Sequence, residues 1–339
     1  MHMADALLSP IVGVIMILFS LSVLLYSIYK LKQNGLDEKK IPMMAVLGAF
    51  VFAAQMINFT IPGTGSSGHI GGGILLAALL GPYAALIVLA VVLIIQCLFF
   101  ADGGLLAIGC NIFNMGICAC FIGYPYIFKP LIKKNLTPLN ITIASVLAVV
   151  VSLQIGSFGV VLETLLSGIT ELPFTEFVLL MQPIHLAIGA IEGLITAGVL
   201  IYIYKARPEL IESASSGKAV GNVSVKKVAI VLLVAAVVVG GGLSLFASSY
   251  PDGLEWSMEG VAGTTELERE GGIYDIAADI LDFTAFMPDY SFKSDGEDGS
   301  ALGTTTAGLV GGLIVLLIAA GIGYAVYSVS KKNNAGSRS

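Results

Sequence analysis

The sequence predicts an all-α polytopic membrane protein, and three observations support this prediction: its composition, its apolar runs and the uneven distribution of its charges. Of its 339 residues, 56% are hydrophobic and 12% are charged, whereas a globular domain carries about 25% charged residues. The mean hydropathy of +0.92 also indicates a chain that is too apolar for an ordinary soluble domain. Lipid is therefore the expected solvent. The composition argues against a disordered chain, a fibrous repeat or a nucleic-acid-binding protein.

Eight apolar runs are long enough to cross a bilayer, for which a helix needs about 20 residues, and a ninth run at 71–81 is short and rich in glycine. No lysine or arginine precedes the first run, so we expect a retained helix there and not a cleaved signal peptide. The long runs lie at 10–29, 42–59, 83–101, 104–128, 138–162, 176–204, 225–247 and 304–328.

The distribution of basic residues predicts an orientation. Fifteen of the 17 Lys and Arg side chains fall into four clusters. Loops rich in these residues stay in the cytoplasm, so all four clusters are expected on that side. An even number of crossings must then separate the first two clusters, and the 71–81 run is predicted to make a short crossing. The prediction is nine crossings, with the N-terminus outside and the C-terminus in the cytoplasm. The clusters are Lys30, Lys32, Lys39 and Lys40; Lys129, Lys133 and Lys134; Lys205, Arg207, Lys218, Lys226 and Lys227; and Lys331, Lys332 and Arg338.

A polar linker at 205–224 is predicted to divide the chain into two modules. Residues 1–204 form a predicted seven-helix substrate-binding module, and residues 225–330 a two-helix accessory module with a large external loop at 248–303. That loop holds 13 of the 23 acidic residues and two bases. Such a loop can attract cations, and the simpler interpretation is a solvated external face. The four cysteines lie in apolar runs without C-x-x-C spacing, so neither disulfides nor a thiolate metal site is expected.

Two of the three histidines, His2 and His69, fall on the predicted outer side. The α-amine of Met1, the amide nitrogen of His2 and the His2 imidazole can close a five-membered and a six-membered chelate ring on one cation. With the amide deprotonated these nitrogens lie in one plane, and His69 can supply a fourth. Tetragonal nitrogen sites suit Ni²⁺ or Cu²⁺. The alternative interpretation is a frayed terminus and a surface histidine without a ligand.

Several stretches resemble motifs of the substrate-specific components of nickel and cobalt energy-coupling-factor (ECF) transporters, and others resemble their small accessory subunit. The resemblance covers nearly the whole chain, although Met3, Ala4, Ala6 and Leu7 depart from the "MHIPDGFLSP" opening of the family. The loss of its proline implies a less rigid N-terminal segment. The matching stretches are Met1 to Pro10, Gly68-His69, Ala101 to Met115 ("ADGG…G.NIFNM"), His185 to Gly193 ("H.AIG..EG"), Pro251 to Glu255 ("PDGLE") and Pro288-Asp289-Tyr290.

The resemblance implies a ligand set and a set of partners. The free N-terminus would insert into the membrane module, where Met1, His2 and His69 bind the metal. A membrane coupling (T) subunit and cytoplasmic ATPase subunits would supply the energy, since this chain has no G-x-x-x-x-G-K phosphate loop followed by Ser or Thr. Further polar residues map to the same outer half and are expected to orient the ligands: Asp5, Asn58, Asp102, Asn111 and Asn114.

The expected function is capture of a transition metal for ATP-driven uptake, with Ni²⁺ ahead of Co²⁺, no organic cofactor and no enzymatic activity. A stand-alone ion-coupled carrier is the alternative, and it needs acidic groups deep in the bundle, for which Glu192 qualifies. A metallohydrolase using His69 and His185 is not expected, because no H-E-x-x-H motif is present. His185 and Glu192 share a helix face and are expected to pack or to contact a coupling partner, not to bind the metal.

Overall fold

Helices dominate the structure, a computed structural model that describes residues 1–294 and 301–336. Within these residues six helices are long and apolar enough to cross a membrane, which confirms the all-α polytopic membrane fold. They are α1, α4, α5, α6, α7 and α12 of the following series. The helices are α1 (Pro10–Asn34), α2 (Lys40–Gln55), α3 (Gly73–Leu80), α4 (Pro82–Phe100), α5 (Ile108–Lys134), α6 (Pro138–Ser167), α7 (Phe174–Ala206), α8 (Pro208–Ser216), α9 (Lys226–Gly241), α10 (Gly253–Ala262), α11 (Ile273–Thr284) and α12 (Ala301–Gly336).

The two ends of the helix bundle differ in charge. At one end, here called the lysine end, Lys40 Nζ donates to the carbonyl of Leu80 at 3.2 Å. Ser330 Oγ donates to the carbonyl of Lys32 there at 3.1 Å. The opposite end is here called the acidic end, because the acid-rich loop at 248–303 lies there. Met287 N of this loop donates to Phe99 O, near the end of α4, at 3.3 Å. Arg338 of the last basic cluster and Asp295, Glu297 and Asp298 of the acidic loop lie outside the described residues.

The 71–81 segment crosses only part of the bundle. Helix α3 has eight residues and is therefore about 12 Å long, well short of the roughly 30 Å hydrocarbon core of a bilayer. It starts next to the end of α2, where Gln55 Nε2 donates to Gly71 O at 3.0 Å, and it finishes at the lysine end. The predicted short crossing thus begins in the interior of the bundle, directly below His69.

Helices α9 and α12 pack against each other and against α2 through small residues. The backbones of α9 and α12 meet at Gly240 and Gly308, where a Cβ on Gly308 would lie 2.9 Å from the Cα of Gly240. Gly311 of α12 makes room for the ring of Phe52 on α2. Close approach through glycine is a common way for helices to associate in lipid. Helix α2 is consequently buried along most of its length.

The external loop folds back over the acidic end of the bundle, and eight of its ten described acidic side chains are exposed there, as expected of a solvated external face. Two short antiparallel strands, β1 (Phe59–Ile61) and β2 (Ser66–Gly68), form a hairpin there that the sequence did not predict. Ser67 N of this hairpin donates to Pro251 O at 2.8 Å. Trp256 Nε1 donates to Thr64 O at 3.0 Å. The loop at 248–303 is therefore docked on the hairpin that follows α2.

Candidate metal-capture site

The first residues of the chain are held inside the bundle. Met1 is 5% exposed and Met3 is fully buried. Asn111 on α5 holds the backbone of Met3 from both sides: its Oδ1 accepts from Met3 N at 2.8 Å and its Nδ2 donates to Met3 O at 3.2 Å. Gly104 N donates to the same carbonyl at 2.9 Å. The N-terminus is thus an ordered part of the site and not a frayed end, despite the missing proline.

Asp5 joins this segment to the loop that precedes α5. Its carboxylate accepts from Leu105 N at 3.1 Å and from Ala107 N at 2.9 Å. Burial raises the pKa of Asp5, and these N–H groups counteract that rise. Beyond Asp5, a 3₁₀ turn (Asp5–Leu7) leads into α1, whose first turn is capped by Ser9. Asp5 therefore shapes the N-terminal segment and contacts the loop, not the nitrogen donors.

The α-amine of Met1 and the imidazole of His69 lie side by side. Met1 N is 3.4 Å from His69 Nε2, and His69 Nδ1 lies 3.1 Å from Ile70 O. The second contact places the ring proton on Nδ1, so the lone pair of Nε2 faces the amine. Burial, together with the charge of the amine, lowers the pKa of His69 to about 3. His69 is consequently a neutral nitrogen donor at physiological pH.

His2 stacks on His69, with ring centroids 5.2 Å apart and planes 16° from parallel. Its Nδ1 lies 3.2 Å from Asp102 Oδ1, and its buried Nε2 has no partner among the described residues. Burial lowers the pKa of His2, while the charge of Asp102 opposes this. Asp102 also accepts from the hydroxyl of Tyr290, a residue of the external loop. A six-membered chelate ring uses Nδ1, so an ion bound there would replace the Asp102 contact.

The external loop also contributes Asp252, which the sequence analysis did not place at the site. Its carboxylate forms an ion pair with the Met1 amine, 251 residues away in the sequence. Burial opposes ionisation, but the ammonium of Met1 outweighs it, so the pKa of Asp252 lies well below its usual value. Asp252 also caps α10, where its Oδ1 accepts from Leu254 N at 2.7 Å, and Glu255 completes the capping box. The PDGLE motif was the available signal, yet nothing local linked it to Met1.

Two of the predicted orienting residues lie further from the nitrogen donors. Asn114 Nδ2 donates to Glu163 Oε2 at 2.7 Å, and Asn114 lines a cavity below Met1. Asn58 lies apart from this cavity, and its carbonyl accepts from Ser248 N at 2.7 Å. Asn58 therefore helps to dock the external loop.

Side chains alone do not build a metal site in the described part of the chain, where no group of three or more His, Cys, Asp or Glu residues is placed to hold an ion. The nitrogen donors gathered at the acidic end include main-chain groups: the α-amine of Met1 and the amide of His2. With His69 they form a partly buried, nitrogen-rich group flanked by Asp102 and Asp252. Such donors suit late first-row transition metals.

Comparison with known proteins finds a family match for each part of the chain. Residues 2–210 match the family model for the cobalt uptake substrate-specific transmembrane region, and residues 226–328 match the PDGLE domain. A protein of Archaeoglobus fulgidus described as a fused nickel transport protein, NikMN, is 36% identical over 94% of this chain and 96% of its own length. A cobalt transport protein, CbiM, of Sorangium cellulosum is 33% identical over 50% of this chain and 76% of its own.

A solved structure shares the fold of the larger module. The crystal structure of a transition metal transporter superposes with a TM-score of 0.54 and 31% identity, and the match covers 61% of this chain and 94% of that one. The two matched regions are in contact, because Asp252 of the PDGLE loop pairs with the amine of Met1, next to His69. The chain therefore belongs to the cobalt uptake substrate-specific transmembrane family, fused to a PDGLE domain, and is a multi-pass nickel/cobalt transport component of the ECF type.

Proposed function

We propose that this chain captures Ni²⁺ outside the cell through Met1, His2 and His69 and passes it on for ATP-driven uptake. The observation that carries the proposal is the buried α-amine of Met1, 3.4 Å from the unprotonated nitrogen of His69. Burying a charged terminus is costly unless a partner or a bound ion compensates for it. An α-amine placed beside two histidines is a suitable nitrogen ligand for a cation.

The proposed chelate uses the amine, the His2 amide, His2 Nδ1 and His69 Nε2. Binding removes a proton from the ammonium and one from the amide, and the resulting amidate favours the planar geometry of d⁸ Ni²⁺. Asp252 and Asp102 retain negative charge next to the ion. Co²⁺ is the alternative cargo, since the same nitrogen donors bind it, and the relatives include both nickel and cobalt transport proteins.

The accessory module would control access to this chelate. Its external loop binds the Met1 amine through Asp252 and reaches Asp102, the partner of His2, through Tyr290. The first contact occupies the amine and the second holds the acid that pairs with His2 Nδ1, so an incoming ion must displace Asp252 from the amine and Asp102 from His2. We propose residues 1–204 as the binding module, 205–224 as the linker and 225–330 as the module that holds the N-terminal segment ready between transport cycles.

A membrane coupling subunit and cytoplasmic ATPase subunits are the proposed partners, with the N-terminus outside and the C-terminus in the cytoplasm. The segregation of lysines to the end opposite Met1 supports this orientation. The carrier alternative rests on Glu192, the buried acid of α7. Uptake by liposomes that contain this chain alone, without ATP, would favour the carrier.

Metal binding by two forms of the purified chain tests the chelate. One form begins at Met1 and the other carries Gly-Ser before Met1, which moves only the amine. We expect the first form to bind Ni²⁺ with the yellow absorption of a planar site and to prefer it to Co²⁺, and the extended form to lose that band. Equal binding by both forms would exclude the amine as a ligand. A preference for Co²⁺ would reverse the order of the two ions.

A further inference from the structure

Below the Met1 amine a cavity continues toward the lysine end. Its free volume is about 40 Å³, which exceeds the roughly 10–15 Å³ that one water molecule needs. The cavity is about 10 Å deep, because His185 and Glu192, which both line it, are seven residues apart on α7 and differ by about that distance along the helix axis. Polar groups line it from top to bottom: Asp252, Met1, His69, His185, Asn114 and Glu192.

His185 presents a free nitrogen at the upper part of this cavity. Its Nδ1 lies 2.7 Å from the carbonyl of Met181 one turn earlier, so the ring proton is held on Nδ1 and the lone pair is on Nε2. The residue is 1% exposed, and Nε2 has no partner among the described residues. Gly253 of the external loop closes the cavity here, because a Cβ on it would lie 3.1 Å from Nε2. A hydrogen bond on the other ring nitrogen is the usual way to prepare a metal-binding histidine.

Glu192 lies seven residues further along the same helix face, near the bottom of the cavity. It is 4% exposed, and its Oε1 accepts from Gly72 N at 3.0 Å, three residues after His69. Among the described residues, no lysine or arginine side chain lines this cavity. A carboxylate at this depth is costly to keep unless it has a cation to bind during part of its cycle.

We propose that His185 and Glu192 form an inner cation station, which receives the transition metal from the Met1, His2 and His69 chelate on its way to the lysine end. This inference rests on the proposed function. The ion keeps its charge and exchanges ligands: it leaves the chelate for His185 Nε2 and then for the Glu192 carboxylate. Glu192 also accepts a hydrogen bond from Gly72 N. When the carboxylate binds the ion instead, this bond is lost and the segment that carries His69 is released.

The decisive variant is Glu192→Gln in the chain assembled with its coupling and ATPase subunits in liposomes. Glutamine keeps an oxygen for Gly72 N and the side-chain volume, but it loses the charge. We expect the affinity of the outer chelate for Ni²⁺ to be unchanged and ATP-driven uptake of radioactive nickel to fall by about 10- to 100-fold, the range for lost metal-site partners. Glu176→Gln, on the exposed first turn of the same helix, is the matched control and should leave uptake unchanged.

A direct binding test uses Co²⁺ as the probe on the chain in nanodiscs. With the outer imidazoles removed by His2→Ala and His69→Ala, weak Co²⁺ binding should remain, and adding both His185→Gln and Glu192→Gln should abolish it. Normal uptake by Glu192→Gln, or residual Co²⁺ binding that ignores both changes, would overturn the inner station. A native-start chain that binds no metal would instead refute the outer chelate, so the two failures are distinguishable.

Discussion

At the scale of single residues, the site depends on pairs of groups that are far apart in the sequence. The amine of Met1 contacts Asp252, and His2 contacts Asp102, which in turn binds Tyr290. Each acidic partner favours the positive charge that an ion brings. The side chains of the external loop therefore belong to the site as much as those of the larger module.

Asp102→Asn should weaken Ni²⁺ binding by about tenfold, because the variant removes both a charge and the group that orients His2. Isothermal titration on the native-start chain measures this change. Asp282→Asn on the exposed part of α11 removes an equal charge away from the site and serves as the control. Equal affinities for all three chains would show that Asp102 has no part in binding.

Acid should destabilise the metal-free protein through His69. Its pKa is lowered from 6.5 to about 3 in the folded state, so between these values the unfolded chain binds more protons. Stability then rises with pH across this window and falls as the pH drops from about 6.5 toward 3. NMR of labelled histidine should find His69 neutral at pH 5. The variant His69→Asn should lose less stability as the pH falls from about 6.5 toward 3. A ring that protonates near pH 6.5 would contradict this assignment.

At the scale of secondary-structure elements, close contacts through glycine decide how the helices cross. Gly109 on α5 lies against the backbone of α1 at Met16 and Ile17, and Ser20 Oγ donates to its carbonyl at 2.7 Å. A methyl group at Gly109 would overlap that backbone, which a side-chain rotation does not relieve. Because α1 follows directly from the N-terminal segment, this crossing also positions Met1.

Gly109→Ala should therefore destabilise the protein by about 1–3 kcal/mol, the usual cost of overpacking. Gly198→Ala is the control: this glycine lies within α7 and has no neighbour within 4 Å. It should be neutral or slightly stabilising, since alanine favours helix. Thermal unfolding in detergent, followed by size-exclusion chromatography, compares the two. Similar melting temperatures for the two variants would show that α1 and α5 move apart to accommodate the methyl group without loss of stability.

At the scale of the whole molecule, the two family matches describe one packed body. Helices α9 and α12 lie on α2, the external loop covers the acidic end, and Asp37 Oδ2 accepts from Val220 N at 2.8 Å at the lysine end. The linker is thus not the principal connection between the modules.

Cleavage of the linker should leave the two halves together. With a protease site inserted after Gly217, both fragments should elute as one complex in detergent after digestion. In Gly311→Leu the new side chain would collide with Phe52 and Phe100, so its fragments should separate. Separation of the unsubstituted fragments would show that the linker, and not packing, holds the modules together.

Much of this protein was determined by the sequence alone, because transfer to lipid and helix length depend on local composition. The apolar runs predicted the membrane fold, and the motifs predicted Met1, His2 and His69 as ligands, whose amine and rings lie close together in the structure. Tertiary structure decided the rest: the pairing of Met1 with Asp252, the partial depth of α3, the place of Asn58 and the cavity above Glu192. These features depend on which helix faces meet and where a distant loop docks. Hydropathy and charge counts carry no information about such long-range packing, since they average over neighbours in the chain and not over neighbours in space.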